Sequence, residues 1–263
     1  MAKTALCIGI NDYPGTGSDL SGCVNDANDW SGALNARGFT VFMLLDDQAS
    51  KNAMVQAIGD MISSAQGGDS LIITYSGHGT WVADISNDEP DGRDEGLCPH
   101  DIRTNGALLD DDIGEMFAKR ERETRIVLIS DSCHSGSVTR GDESDLDPDL
   151  PRARFLPPAA WMPAARLPRT TRPAVLMGGM TQTGGDLLLA GCQDTEYSWD
   201  TRFNGRPNGA FSYFALKTLK TLSADARYED WFAAIRDYLP STRLPQAPQI
   251  FGTRGARKFK VFD

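Results

Sequence analysis

Two residues of this chain carry the chemistry of a covalent catalyst and its proton partner, Cys133 and His78. Each follows an apolar run. Ser70–Tyr75 leads into Ser76-Gly77-His78-Gly79, and Ile126–Ile129 leads into Asp131-Ser132-Cys133-His134-Ser135-Gly136. A thiol becomes a nucleophile when an imidazole accepts its proton or holds it as an ion pair, and the two groups need closeness in space, not in sequence. Small neighbours let a substrate backbone approach closely and leave amides free to meet a developing oxyanion. His134 adjoins Cys133, but adjacent side chains of an extended segment diverge, so it is a poor base for that thiol. An inert thiol and a structural histidine remain the plain alternative for the pair.

Other groups carry less. Cys98 and His100 are two zinc-type ligands without the second pair a tetrahedral site needs, and Cys7 reads as a core residue of its strand. Asp88, Glu89, Asp91, Asp94 and Glu95, with Asp110, Asp111 or Asp112 further on, offer hard oxygen ligands to a cation. They lack the fixed spacing of a helix–loop–helix calcium site, and a solvated acidic loop has the same composition.

The elements that must hold these residues follow from periodicity. Thr4–Ile10 predicts a buried first strand that opens into a loop at Asn11–Ser18. Cys23, Ala27, Trp30 and Leu34 recur at helical spacing, with Asp26 and Asp29 on other faces and an end near Gly38. Phe39–Leu45 predicts a strand, and Met54, Ile58, Met61 and Ile62 stripe a helix over Lys51–Ala65. Asp84–Asp101 reads as a long acidic loop before a short helix starting at residues 110–112. Pro173–Gly178 and Leu187–Gly191 read as later strands, Phe211–Leu222 and Tyr228–Leu239 as helices, and Lys258–Phe262 as a last extended segment. Apolar strands alternating with amphipathic helices predict an α/β fold, a mostly parallel sheet covered on both faces, with catalytic loops beyond its carboxyl ends. Arg140–Pro173, rich in proline and arginine, has no clear internal element and reads as a linker or processing loop.

With 263 residues, 40% apolar and 24% charged, the chain is expected to form one domain, 1–263, and is neither fibrous nor wholly disordered. A net charge of -10 argues against a generic nucleic-acid surface. Without a membrane-length apolar run or secretory start, the expectation is a cytoplasmic protein with no membrane partner, and a monomer is favoured. Five cysteines, an odd number, read as reduced thiols.

The two blocks around His78 and Cys133 resemble those of the metacaspases, caspase-like cysteine peptidases, most closely the bacterial type I form. Cys23-Val24-Asn25-Asp26-Ala27, Asp91-Gly92-Arg93-Asp94-Glu95, Asp110–Asp112, Gly191-Cys192-Gln193-Asp194 and Gly209–Leu216 resemble further family blocks in the same order. The cysteine block departs from the animal-caspase signature. The resemblance implies a caspase-like three-layer sandwich and an endopeptidase cutting peptides or proteins after Arg or Lys, with Cys133 and His78 as the dyad. It also implies a basic-residue pocket with carboxylates from Asp26 and Asp131, lined by Cys23 and Ser76, and an oxyanion site at the amides of Gly79 and Cys133. Two carboxylates suit a guanidinium or ammonium and repel an aspartate. Asp26 alone would otherwise read as a solvent-facing helix residue.

No organic cofactor is implied. Calcium is, at Asp91, Asp94, Glu95, Asp110 and Asp111, although a carboxylate expected soon after the cysteine block falls near Arg140, with Asp142 two places later. Self-cutting within 140–173 has six candidate positions: Arg140, Arg152, Arg154, Arg166, Arg169 and Arg172. The competing functions are a noncatalytic caspase-like scaffold that holds peptides and a thiol enzyme of another kind.

Overall fold

In the computed structural model, residues 1–84, 92–133, 150–167, 186–193 and 196–263 are described. β1 (Lys3–Gly9), β2 (Thr40–Leu45), β3 (Ser70–Ser76), β7 (Arg125–Asp131), β9 (Leu187–Ala190) and β12 (Gln249–Gly252) form the central sheet, in the order β12-β9-β7-β3-β1-β2. Neighbours run parallel except β12, which is antiparallel to β9. Helices cover both faces, because alternate residues of the strands feed two separate cores. Leu6, Ile8, Leu71, Ile73 and Leu128 pack with α2 (Lys51–Ser64) and α4 (Asp110–Ala118). Ala5, Cys7, Ile72, Val127 and Ile129 pack with α1 (Cys23–Asn35), α6 (Ala210–Leu219) and α7 (Tyr228–Arg236). Burial on both faces is why the strands read as unbroken apolar runs rather than alternating ones.

Two three-stranded sheets stand beside the main one. β4 (Gly79–Ala83), β5 (Arg93–Leu97) and β6 (Leu108–Leu109) make the first, and β8 (Arg152–Ala153), β10 (Trp199–Phe203) and β11 (Arg206–Gly209) the second. The short helices α3 (Ile102–Asn105) and α5 (Pro158–Trp161) complete the described elements of interest. Among the described residues, no helix is long and apolar enough to cross a membrane.

Three expectations need correction. The stretch Asp84–Asp101 is not all loop: Arg93–Leu97 pairs as β5 with β4, and its register buries Asp94 and Glu95. The stretch 140–173 is not a bare linker, since residues 150–167 contain β8 and α5 and bury Arg154, Phe155, Leu156 and Trp161. The proline that hid these elements sits at the first position of α5, where a missing N–H costs nothing. Lys258–Phe262 forms no full strand, only an antiparallel bridge of Lys260 with Arg227; the returning strand is Gln249–Gly252, and Ala256–Lys258 is a short 3-10 helix. Pro173–Gly178, His134 and Asp142 lie outside the described residues.

Candidate active site

β3 and β7 are parallel neighbours, with Ser76 opposite Asp131 at their carboxyl ends. Each chain then runs two residues further, one to His78 and the other to Cys133, so the register alone brings both to the same edge. Both are buried, His78 at 2% and Cys133 at 0% exposure.

The segment that follows β8 fills the space between them. Arg152 pairs with Asp200 and Ala153 with Trp199 in antiparallel register. The Arg154 N–H donates to the Ser198 carbonyl at 2.9 Å, and the Arg154 carbonyl accepts from the amides of Gly79 (3.0 Å) and Cys133 (3.1 Å). One residue on, Phe155 bridges Gly79, and the Leu156 N–H donates to the Gly79 carbonyl at 2.9 Å. Two converging amides are the donor set that a tetrahedral oxyanion requires. Here they hold the carbonyl of the chain's own arginine.

The Arg154 side chain is fully buried in a cluster of carboxylates. Its Nη2 lies 2.7 Å from Asp26 and 2.9 Å from Asp200; its Nη1 lies 3.2 Å from the Asp131 carboxylate and 3.1 Å from the Asp131 carbonyl. Burial works against the guanidinium charge, but Asp131, Cys23, Asp26 and Asp200 outweigh it and hold Arg154 well above its ordinary range. Burial pushes Asp26 up to about 7 against the pull of Arg154. The carboxylates are themselves braced. Asp26 accepts from the Asn208 amide at 2.8 Å and from the Gly209 N–H, Asp131 from the Ser212 N–H at 2.8 Å and from the Ser198 hydroxyl, and Asp200 from the N–H groups of Ser21 and Gly22. Gly209 has no room for more than hydrogen: a Cβ there would overlap the Asp131 carboxylate and the Arg154 guanidinium.

The ring of His78 is fixed from both sides. Its Nε2 lies 2.6 Å from the Ser18 carbonyl. A carbonyl only accepts, so Nε2 carries the proton and Nδ1 presents the lone pair. Nδ1 is buried and, among the described residues, makes no hydrogen bond. Tyr13 packs against the ring at 4.7 Å between centroids, and its hydroxyl accepts the His78 N–H at 2.7 Å. Tyr75 donates to the His78 carbonyl at 2.6 Å. Gly77 is required beneath them, because a Cβ would lie 2.5 Å from the Tyr75 hydroxyl and 2.6 Å from that of Tyr13. Burial lowers the His78 pKa to about 4 against the Ser18 carbonyl, which favours the protonated ring, and the Arg154 charge adds to the lowering. The imidazole is therefore neutral at pH 7. The Cys133 sulfur accepts from the Ser198 N–H, lies 3.6 Å from the Ser198 carbonyl, and packs with Phe155, Cys192, Trp81 and Tyr197.

The residues anticipated for a basic pocket thus come together in part. Asp26 is buried against Arg154 rather than facing solvent, and Asp131 joins it. Cys23 is buried close enough to interact electrostatically with Arg154, its thiol pushed up chiefly by burial, and Ser76 faces Ser212 with their hydroxyls 3.4 Å apart. Asp200, Asn208, Tyr13 and Ser198 were missed. Asp200 is a lone acid between aromatic and β-branched residues with no motif around it; Gly209 lay within a noted block, but only the fold reveals what presses on it. Of the processing candidates, Arg154 is in the site, Arg152 is half-buried and donates to the Asp19 carbonyl at 2.8 Å, and Arg166 is exposed. Arg140, Arg169 and Arg172 lie outside the described residues.

Among the described residues, no group of three or more His, Cys, Asp or Glu is placed to hold an ion. Asp94, Glu95, Asp110 and Asp111 form no such group, and Asp91, with Asp88 and Glu89, lies outside those residues. His100 is not paired with Cys98 as a ligand set; its Nε2 lies 3.2 Å from Asp12, while the Cys98 N–H donates to the Tyr75 hydroxyl at 3.2 Å.

Comparison with known proteins agrees along the chain. The family model for the metacaspase, peptidase C14 domain, matches residues 3–141. Metacaspase-1 of Saccharomyces cerevisiae is 29% identical over 94% of this chain and 66% of its own length. Metacaspase-1 of Cryptococcus neoformans is 30% identical over 94% and 62%, and Metacaspase-1A of Aspergillus fumigatus is 30% identical over 94% and 68%. The chain therefore spans about two thirds of the length of these relatives. The crystal structure of protein GSU0716 from Geobacter sulfurreducens superposes with a TM-score of 0.74 at 30% identity, covering 100% of this chain and 98% of that one.

Proposed function

We propose that this chain, which belongs to the metacaspases, is a cysteine endopeptidase that cuts on the carboxyl side of arginine and cuts itself after Arg154. One observation carries the reading: Arg154 has its guanidinium among three carboxylates and its carbonyl on two amides, one of them the amide of Cys133 itself. The two residues before it, Arg152 and Ala153, pair with β10 as an extended strand would, and the Arg154 N–H donates to the Ser198 carbonyl, just before that strand. That is the layout of a substrate residue immediately before a scissile bond.

In the proposed reaction, Nδ1 of His78 takes the Cys133 thiol proton and Sγ attacks the Arg154 carbonyl carbon. The oxyanion is held by the amides of Gly79 and Cys133. The proton then passes from His78 to the departing amine of Phe155, and a water activated by His78 later hydrolyses the thioester. A dyad suffices, because the Ser18 carbonyl sets the imidazole tautomer and Asp131 is committed to the pocket. Arginine fits better than lysine, since the carboxylates engage both terminal nitrogens of a fork while an ammonium is one point. An aspartate would face three like charges. Calcium activation rests on the family resemblance alone, and no step is assigned to it.

The test is capture by an arginine peptide bearing an electrophile, read by intact mass on the wild type and on Arg154→Gln. Covalent gain at Cys133, faster in Arg154→Gln and lost in His78→Ala, is expected. Reversible binding without capture would instead make the protein a peptide-holding scaffold.

A further inference from the structure

Resting on that reading, we propose that the Arg154–Phe155 bond is resealed in place after thiolate attack, so that the chain has a peptide-bond-forming activity toward its own segment. The reason lies on the amine side of the bond. Leu156 is 0% exposed and belongs to the larger core cluster, together with Trp161 of α5. The indole N–H of Trp161 donates to the Thr80 hydroxyl at 3.1 Å, and the Leu156 N–H is held by Gly79. Phe155 packs against Trp81, Tyr197, Cys192 and Cys133. The acyl side is held as firmly, by β8 pairing and the carboxylate cluster. An ordinary leaving amine diffuses away; this one is anchored in the core.

The chemistry balances without a co-reactant. Sγ bonds to the Arg154 carbonyl carbon, the C–N bond to Phe155 breaks, and the Phe155 nitrogen takes the proton from His78. In return, the free Phe155 amine attacks the thioester carbon, His78 recovers a proton, and the thiolate leaves. Such an α-amine has a pKa of about 8, so a fraction is neutral at pH 7. Held reactants reach effective concentrations of roughly 10⁵ M or more, far above that of water, and the docked amine occupies the approach that hydrolytic water needs. The segment then behaves as a tethered inhibitor that is cut and rejoined many times for each hydrolytic cut that persists, so fragments build up slowly in water and fast when the thioester is trapped.

Hydroxylamine is the probe, because it is small and traps a thioester irreversibly as the Arg154 hydroxamate. In the wild-type chain at pH 7, splitting read by denatured intact mass should rise at least about tenfold with hydroxylamine, yielding a hydroxamate-ended fragment. Leu156→Ala and the milder Trp161→Phe loosen the anchor, and should split faster in water alone and gain less. Cys133→Ala controls for hydroxylamine scission at Asn105–Gly106, Asn204–Gly205 and Asn208–Gly209. Absence of Arg154 hydroxamate in the wild type, or equal splitting with and without the probe, overturns the proposal. If the electrophilic arginine peptide still captures Cys133, only resealing fails; if it does not, the peptidase reading fails with it.

Discussion

The guanidinium of Arg154 lies where a side chain on Gly209 would have to be. A single methyl group there overlaps both the arginine and the Asp131 carboxylate. Gly209→Ala should therefore expel arginine from the pocket, and self-cutting should fall by about a hundredfold or more, the usual scale for an ångström of misplacement. Peptides with a small uncharged residue in place of arginine should be affected much less. Equal loss on both, measured as kcat/KM, would mean that Gly209 acts on the dyad instead.

Cys133→Ala should abolish self-cutting and peptide cleavage while leaving the fold intact, and His78→Ala should come close to the same loss. His134→Ala should be mild. These are read by intact mass and by circular dichroism on each purified variant, and a loss in His134→Ala equal to that in His78→Ala would reassign the base.

Arg154→Lys keeps the charge but loses the fork. Charge-assisted hydrogen bonds are worth about 1.5–3 kcal/mol each, so self-cutting should slow roughly ten- to a hundredfold. Asp200→Asn should narrow the arginine-over-lysine ratio in a peptide library, as should Asp26→Asn. An unchanged ratio in both would remove these carboxylates from specificity.

The same cluster sets a stability cost. Without Arg154, three buried carboxylates lose their counter-charge, and breaking a buried ion-pair network by removing one partner costs about 3–5 kcal/mol. Arg154→Met in a Cys133→Ala background should show this by urea unfolding at pH 7, and adding Asp26→Asn should restore part of it. No change in the midpoint would mean that water enters the pocket freely.

Burial holds the folded His78 pKa near 4, below its ordinary value of 6.5. The ring is thus a competent base from about pH 4 upward in the occupied site, and the acid limb of self-cutting should fall near pH 4 rather than near 6.5. The unfolded chain takes up a proton between those values that the folded one refuses, so His78 also makes stability fall as pH drops from 6.5 toward 4. A rate profile with its acid limb at the ordinary histidine value would show that the ring works in a solvated state.

Much of this was legible in the residues, and the limits are physical. Strand and helix periods placed His78 and Cys133 at strand ends, and parallel register did the rest. The family resemblance of its block points to Asp26 as a pocket residue, but the partners that bury it include Asn208 and Gly209, which lie 182 and 183 positions away along the chain. No local pattern encodes such a contact. Arg154 was one of six arginines in a proline-rich stretch. What distinguishes it is that Leu156 and Trp161 fit the core, a property of the cavity they fill rather than of their own spacing.

The most direct test of the account is the mass of the chain itself, followed during incubation and quenched in denaturant, for wild type, Cys133→Ala and Arg154→Gln. The account predicts a pair of fragments, one ending at Arg154 and one beginning at Phe155, formed by the wild type and by neither variant. A first cut at Arg152 or Arg166, or a cut after Arg154 that persists in Cys133→Ala, would contradict it.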